Sequence, residues 1–221
     1  MKYYPICLRI ADRPCLVIGG GPIAEQKVRS LLDADANVTV VSPELTAVLT
    51  DLAGAGRIVH IARGYRRGDL VGMTLVYAAT DNEELHAQVA QDAHDAGVLA
   101  NVVDRPQLCD FIVPSIVARG DLLLAVSTSG ASPALAKRIR RELEASFGPE
   151  YALALTVLKR LRVDLAERGV PSAERQRIFA TLAASPLVEH LQHNRRHAVE
   201  RLLTAAVGRD VSLAALGVAL P

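Results

Sequence analysis

Ten residues, CLVIGGGPIA at 15–24, constrain this chain more than any others. An apolar, β-branched run reads as a strand, stops at three glycines, and passes through Pro22 and Ile23 into IAEQKVRSLLDADA. In that segment Val28, Leu31 and Leu32 recur at helical spacing. Strand, turn and helix together match GxGxxA through Gly19, Gly21 and Ala24. The first small residue makes a tight turn, the second lets a pyrophosphate approach the backbone, and the third packs the helix on the sheet. The helix amino end then offers N–H donors to the phosphates. With a strand before it, a helix after it and a second strand following, a turn of this kind is expected to bind a dinucleotide, the alternative being a glycine turn made for steric reasons alone.

The rest of the amino-terminal half has that form. Short β-branched runs alternate with helical ones: NVTVVS, a helix near 44–54, RIVHIA, a Gly- and Arg-rich linker (RGYRRGDLVG), TLVYAAT, the capped helix TDNEELHAQVAQDAHDAG, and VLANVV. The expected fold class is therefore α/β, with a Rossmann-like parallel sheet over residues 1–113. After FIVPS, one more strand and loop, RGDLLLAVSTSG, leads into a helix in SPALAKRIRRELEASFG, with Ser132 as N-cap and Pro133 in the first turn. This small strand–helix unit occupies 114–148. No strand-like run remains in 149–221, where three amphipathic helices are expected near 149–168, 172–184 and 186–207, broken at Pro171 and Pro186.

Charge and cysteine usage narrow the function classes. With 25 Lys/Arg against 24 Asp/Glu, the net charge of +1 gives no argument for nucleic acid or for an anionic membrane surface. The basic excess is local: residues 114–221 hold 15 Lys/Arg against 10 Asp/Glu, a balance that suits an anionic small molecule as well as a solvated helical surface. Cys7, Cys15 and Cys109 have no paired spacing, so neither a disulfide framework nor a metal site is expected, and a reducing cytoplasm fits. The amino terminus lacks the apolar core of a signal peptide, and the apolar tail VSLAALGVAL is about half a membrane span, so a soluble protein is expected.

The acid that would bind an adenosine ribose at the end of the second strand is replaced by Ser42-Pro43-Glu44. Ser42 and Glu44 are the candidates for the ribose hydroxyls. No arginine lies there to neutralise a 2′-phosphate, so NAD is expected over NADP. Thr80, after the strand TLVYAA, and Asn101, within VLANVV, complete the cofactor-side candidates, although a polar residue inside a strand also serves to satisfy a neighbour.

The stretch NVVDRPQLCDF, 101–111, stops being a strand at Asp104, and Pro106 prevents its continuation. Ligands of open parallel sheets bind beyond the strands' carboxyl ends, so Gly21 and Asp104 share one edge although 83 positions separate them. Spacing leaves two readings of Asp104, a carboxylate beside a nicotinamide and an aspartate that caps its own loop. Two readings also hold for STSGASP, 127–133: a capped turn, or hydroxyls and free helix N–H groups that bind carboxylates. Lys137, Arg138, Arg140 and Arg141 read as a solvated face. His190, His193 and His197 fall within about 60° on one helix face, where a solvated or carboxylate-binding role outweighs a metal site.

The segments GGGPIAEQKV, VTVVSPE, AATDNEEL, NVVDRPQLCDFIVPS and AVSTSGASPALAKRIR, in this order, resemble the precorrin-2 dehydrogenase and sirohydrochlorin ferrochelatase family, which includes the amino-terminal module of siroheme synthase. The resemblance runs from about Tyr4 to about Phe147. It implies oxidation of precorrin-2 to sirohydrochlorin with NAD⁺, followed in some members by insertion of Fe²⁺. It also implies Asp104 as the catalytic residue, and Ser127, Thr128 and Ser132 near the polycarboxylate macrocycle. A homodimer built on the 114–148 unit is implied as well, and DLLLAVS is apolar enough to pair across an interface. Position 86, often asparagine in the family, is histidine here; His86 and His94 read as structural. A competing class is a non-catalytic NAD-sensing regulatory domain, which accounts for the glycine turn and a dimer but leaves Asp104 and STSGASP without a purpose.

Overall fold

Five strands, β1 Pro14–Ile18, β2 Asn37–Val41, β3 Val59–Ile61, β4 Leu75–Ala78 and β5 Leu99–Val102, pair in parallel in the order β3-β2-β1-β4-β5. They are seen in a computed structural model that describes residues 2–220. Helices α1 Pro22–Leu32, α2 Ala47–Gly54 and α3 Glu83–Ala96 connect them. Alternate residues of β1 enter different cores: Cys15 and Val17 pack with Val28, Val40 and Leu49, whereas Leu16 and Ile18 pack with Val76, Val89 and Val98. That two-sided burial is why the strands read as unbroken apolar runs. The chain runs outward from β1 through β2 to β3, then crosses to β4 and β5, so the strand order reverses beside β1. Such a reversal opens a crevice at the carboxyl ends of the strands.

Two local departures from expectation have identifiable causes. Helix α2 begins at Ala47, not near 44, because the Thr46 side chain caps it by accepting from Leu49 N. Residues 43–46 are thereby left as loop. The supposed linker is a built strap: Arg63 grips Asp69 through both guanidinium nitrogens, at 2.6 and 2.8 Å, around a 3-10 turn at Arg67–Leu70. Tyr65 donates to Asp92 and Arg67 pairs with Asp95, both acids on α3.

The chain divides into two compact units between Val113 and Pro114. In the second unit, β6 Ser115–Arg119 and β7 Leu122–Val126 form an antiparallel hairpin, followed by helix α4 Pro133–Ser146. Then come α5 Glu150–Glu167, α6 Ser172–Ala183, α7 Leu187–Gln192 and α8 Arg196–Val207, around a core that includes Val157, Leu161, Leu165, Leu182, Leu191 and Leu203. The third expected helix is thus two. Asn194 takes a left-handed backbone with φ 51°, and Arg195 N closes the end of α7 on the His190 carbonyl. Asparagine tolerates that conformation better than most residues, so the break needs neither glycine nor proline. Among the described residues, no helix is long and apolar enough to cross a membrane.

Candidate functional site

The glycine turn is built by close approach on two sides and by open space on the third. Gly19 has φ 116°, and a Cβ there would collide with the Ala79 carbonyl at the end of β4. A Cβ on Gly20 would collide with the Glu44 carbonyl and press on Ser42 Oγ. Gly20 carries as strict a steric requirement as Gly19, although it is a free position of the GxGxxA pattern. Around Gly21, by contrast, nothing lies within 4 Å of the missing Cβ. Gly21 is the N-cap of α1, Pro22 follows at the first helical position, and no side chain caps the helix. The N–H groups of Ile23 and Ala24 belong to the first turn and have no partner within the helix. Ala24 is wholly buried behind them, as the packing residue of the turn must be.

These residues floor a cleft of about 450 Å³. Of the cofactor-side candidates, Gly19, Gly21, Pro22, Ile23, Ser42, Glu44 and Thr80 line it. Pro43 is an exposed loop residue beside them. Sequence reasoning passed over Gly20, Leu45, Thr46, Ala79 and Asp81, which also line the cleft. Thr46 braces the wall, since its N–H donates to the Gly20 carbonyl and its hydroxyl donates to Glu25 of α1. Its signal was available in the pattern of a threonine one residue before a helix. Ser42 is 7% exposed, and its carbonyl lies 2.9 Å from His60 Nε2. The described residues that line the cleft include no lysine or arginine, only the acids Glu44 and Asp81.

Asp104 stands on the same rim. Ile18, Ala78 and Val102 are register partners across β1, β4 and β5. Val103 N still donates to the Ala78 carbonyl, and Asp104 is the next residue. Two strand spacings, roughly 10 Å, therefore separate the end of β1 from the end of β5. Asp104 is exposed and has φ 59°. That is the left-handed region, which aspartate enters more readily than most residues and which turns the chain back along the sheet edge.

The returning segment covers that edge. Asp110 N donates to the Ala100 carbonyl, Ala100 N donates to the Asp110 carboxylate, and Asn101 Nδ2 donates to the Phe111 carbonyl. Asn101 is buried and satisfies this neighbour rather than lining the cleft. Arg105 pairs with Glu83 at the start of α3. His86, on the same helix, is buried with neither ring nitrogen hydrogen-bonded among the described residues.

In the second unit, STSGASP closes on itself. Ser132 N and the Thr128 hydroxyl bond at 3.1 Å, the same hydroxyl donates to the Ser132 carbonyl, and Ser127 Oγ accepts from Ser129 N. Ser132 Oγ caps α4 by accepting from Leu135 N. Arg138 and Arg140 pair with Glu142 and Glu144 one turn on. The three carboxyl-terminal histidines do not share one helix: His190 is on α7, His193 is its C-cap with Nδ1 2.9 Å from the Glu189 carbonyl, and His197 is on α8 beside Glu200. The break at Asn194 removes the common face that unbroken periodicity implied.

A family model described as "Putative NAD(P)-binding" matches residues 6–115, and one described as "Sirohaem biosynthesis protein central" matches 119–146. "Siroheme synthase" of Thioalkalivibrio sulfidiphilus is 38% identical over 208 residues, covering 94% of this chain and 42% of the relative. That of Methylococcus capsulatus is 40% identical over 210 residues, covering 93% and 44%. The chain spans less than half the length of these relatives. A solved structure, "SirC, precorrin-2 dehydrogenase", superposes with a TM-score of 0.78 at 25% identity, over 92% of this chain and 98% of that one. A nicotinamide-nucleotide domain followed by a sirohaem central domain, in that order and on this fold, places the chain in the siroheme-biosynthesis family that includes precorrin-2 dehydrogenase and the amino-terminal part of siroheme synthase.

Proposed function

We propose that this protein oxidises precorrin-2 to sirohydrochlorin with NAD⁺ as hydride acceptor. The observation that carries the reading is the shared rim: an uncapped helix start facing open space at Gly21, and an exposed carboxylate two strands away at Asp104. Bound in this cleft, a nicotinamide would supply the hydride acceptor. The first-turn N–H groups of α1 hold the pyrophosphate without a basic side chain. Asp104 accepts the proton that the macrocycle loses with the hydride, so two hydrogens leave as one hydride and one proton. The cleft's charge supports NAD over NADP, because Glu44 and Asp81 disfavour a 2′-phosphate and the described lining residues include no cation to offset them. Ser42 and Glu44 hold the ribose, with Thr80 opposite.

A dimer belongs to the same proposal. Ile116 and Leu123 are 43% and 48% exposed, and register places them with Ala118 and Ala125 on one face of the β6–β7 hairpin. That apolar face is suited to a second copy of the chain. The turn at Ser127, Thr128 and Ser132 keeps the α4 start ordered for substrate carboxylates. We place the enzyme in the cytoplasm, where its unpaired cysteines stay reduced.

The test incubates the full chain with precorrin-2 and either NAD⁺ or NADP⁺, following sirohydrochlorin and reduced nucleotide. The expected result is equimolar NADH and sirohydrochlorin, with kcat/KM at least tenfold lower for NADP⁺. Nucleotide binding without turnover would instead favour the regulatory class. Adding Fe²⁺ to the product reads metal insertion in the same cuvette.

A further inference from the structure

Cys109 joins two residues that bracket Asp104. Its Sγ lies 3.2 Å from Val102 N, 3.2 Å from the Val102 carbonyl and 3.4 Å from the Arg105 carbonyl. Val102 precedes Asp104 by two residues and Arg105 follows it directly. The sulfur thus accepts one hydrogen bond and has one S–H to donate, and both fall on the backbone that fixes Asp104. The thiol remains protonated at neutral pH because burial pushes it above the ordinary cysteine range, so it keeps its donor role. Cys15, on β1, is wholly buried in the core.

The geometry explains why a brace is needed here. β5 is an edge strand, and Ala100 and Val102 direct their N–H groups away from β4. Ala100 is satisfied by Asp110 and Val102 by Cys109. A non-glycine residue in the left-handed region carries a backbone cost, smaller for aspartate than for most residues, and the bonds on the flanks of Asp104 at φ 59° offset it. The loop is also tied by the Val103 N bond to the Ala78 carbonyl, the Arg105 N bond to the Val102 carbonyl, the Leu108 N bond to the Arg105 carbonyl, the Asp110–Ala100 pair and the exposed Arg105–Glu83 pair, and of these only the last is made by a side chain of the residues next to Asp104.

We infer that Cys109 is a positioning residue for Asp104, its thiol clamping Val102 and Arg105 so that the carboxylate projects from the rim in one orientation. The inference rests on the role proposed for Asp104. It is tested with Cys109→Ala and Cys109→Ser in the full chain, since a hydroxyl keeps one donor and one acceptor at this position. Alanine is expected to lower kcat for precorrin-2 oxidation by about tenfold, because small misplacement of a reacting group costs rate before affinity. KM for precorrin-2 and the calorimetric Kd for NAD⁺ should stay within about twofold, and serine should restore kcat to within about threefold of the native enzyme. Wild-type kcat in the alanine variant, or serine as impaired as alanine, would overturn the inference. Should the unmodified protein not oxidise precorrin-2, the functional reading fails on its own, and amide exchange decides the clamp. Exchange at Val102 should then quicken about tenfold in the alanine variant while β1 and β4 amides are unchanged, and equal exchange would refute it.

Discussion

Three adjacent glycines have different duties. At Gly19 and Gly20 a methyl group would meet backbone carbonyls, Ala79 and Glu44 respectively, which have no freedom to move aside. Gly19→Ala is therefore expected to destabilise the fold by roughly 1–3 kcal/mol, read by denaturant titration. Gly21→Ala fills space that faces the cleft, so it should leave the melting temperature nearly unchanged and weaken NAD⁺ at least tenfold by calorimetry. An equal loss of stability in both variants would mean that Gly21 is a folding glycine. At this scale the sequence was most legible. GxGxxA names the open position and the packing alanine because those requirements are set by bond lengths within one turn. It did not name Gly20, whose constraint comes from a loop more than twenty residues away.

At the scale of elements, the strands and most helices were legible because burial on both faces, caps and glycine ends leave local marks. Gly97 ends α3 with φ 67° as its place in the pattern suggests. What could not be read was structure held by distant side chains. The segment 63–72 has linker composition, yet Arg63, Tyr65 and Arg67 each find an acid that spacing does not reveal. Likewise, LQHNRRH continues a helical period through Asn194, where a left-handed turn breaks the helix without the glycine or proline that would have marked it. The strap makes a pH prediction. The hydrogen bonds from Arg63 hold the Asp69 carboxyl below its ordinary range. A group depressed in the folded state stabilises fully above its unfolded pKa, about 4, and that contribution is lost as pH falls through the folded value. The melting temperature of Asp69→Asn should therefore be lower at neutral pH and fall less steeply below about pH 4 than that of the native protein. Parallel slopes would show that the pair contributes nothing to acid stability.

For the whole molecule, the division between Val113 and Pro114 separates a nucleotide unit from a second unit of hairpin and helices. Within the latter we further distinguish the helical part beyond residue 148. The hairpin's apolar face supplies the test of assembly: Leu123→Glu should convert a dimer to a monomer by light scattering with the helix content intact. A native protein that is already monomeric would remove the dimer from the account. The chemistry itself is decided by one comparison, the native enzyme against Asp104→Asn, with precorrin-2 turnover and NAD⁺ affinity measured on the same samples. Turnover should fall about 100-fold or more while the dissociation constant for NAD⁺ stays within about twofold. Undiminished turnover in the asparagine variant would contradict the assignment of the rim carboxylate as the base.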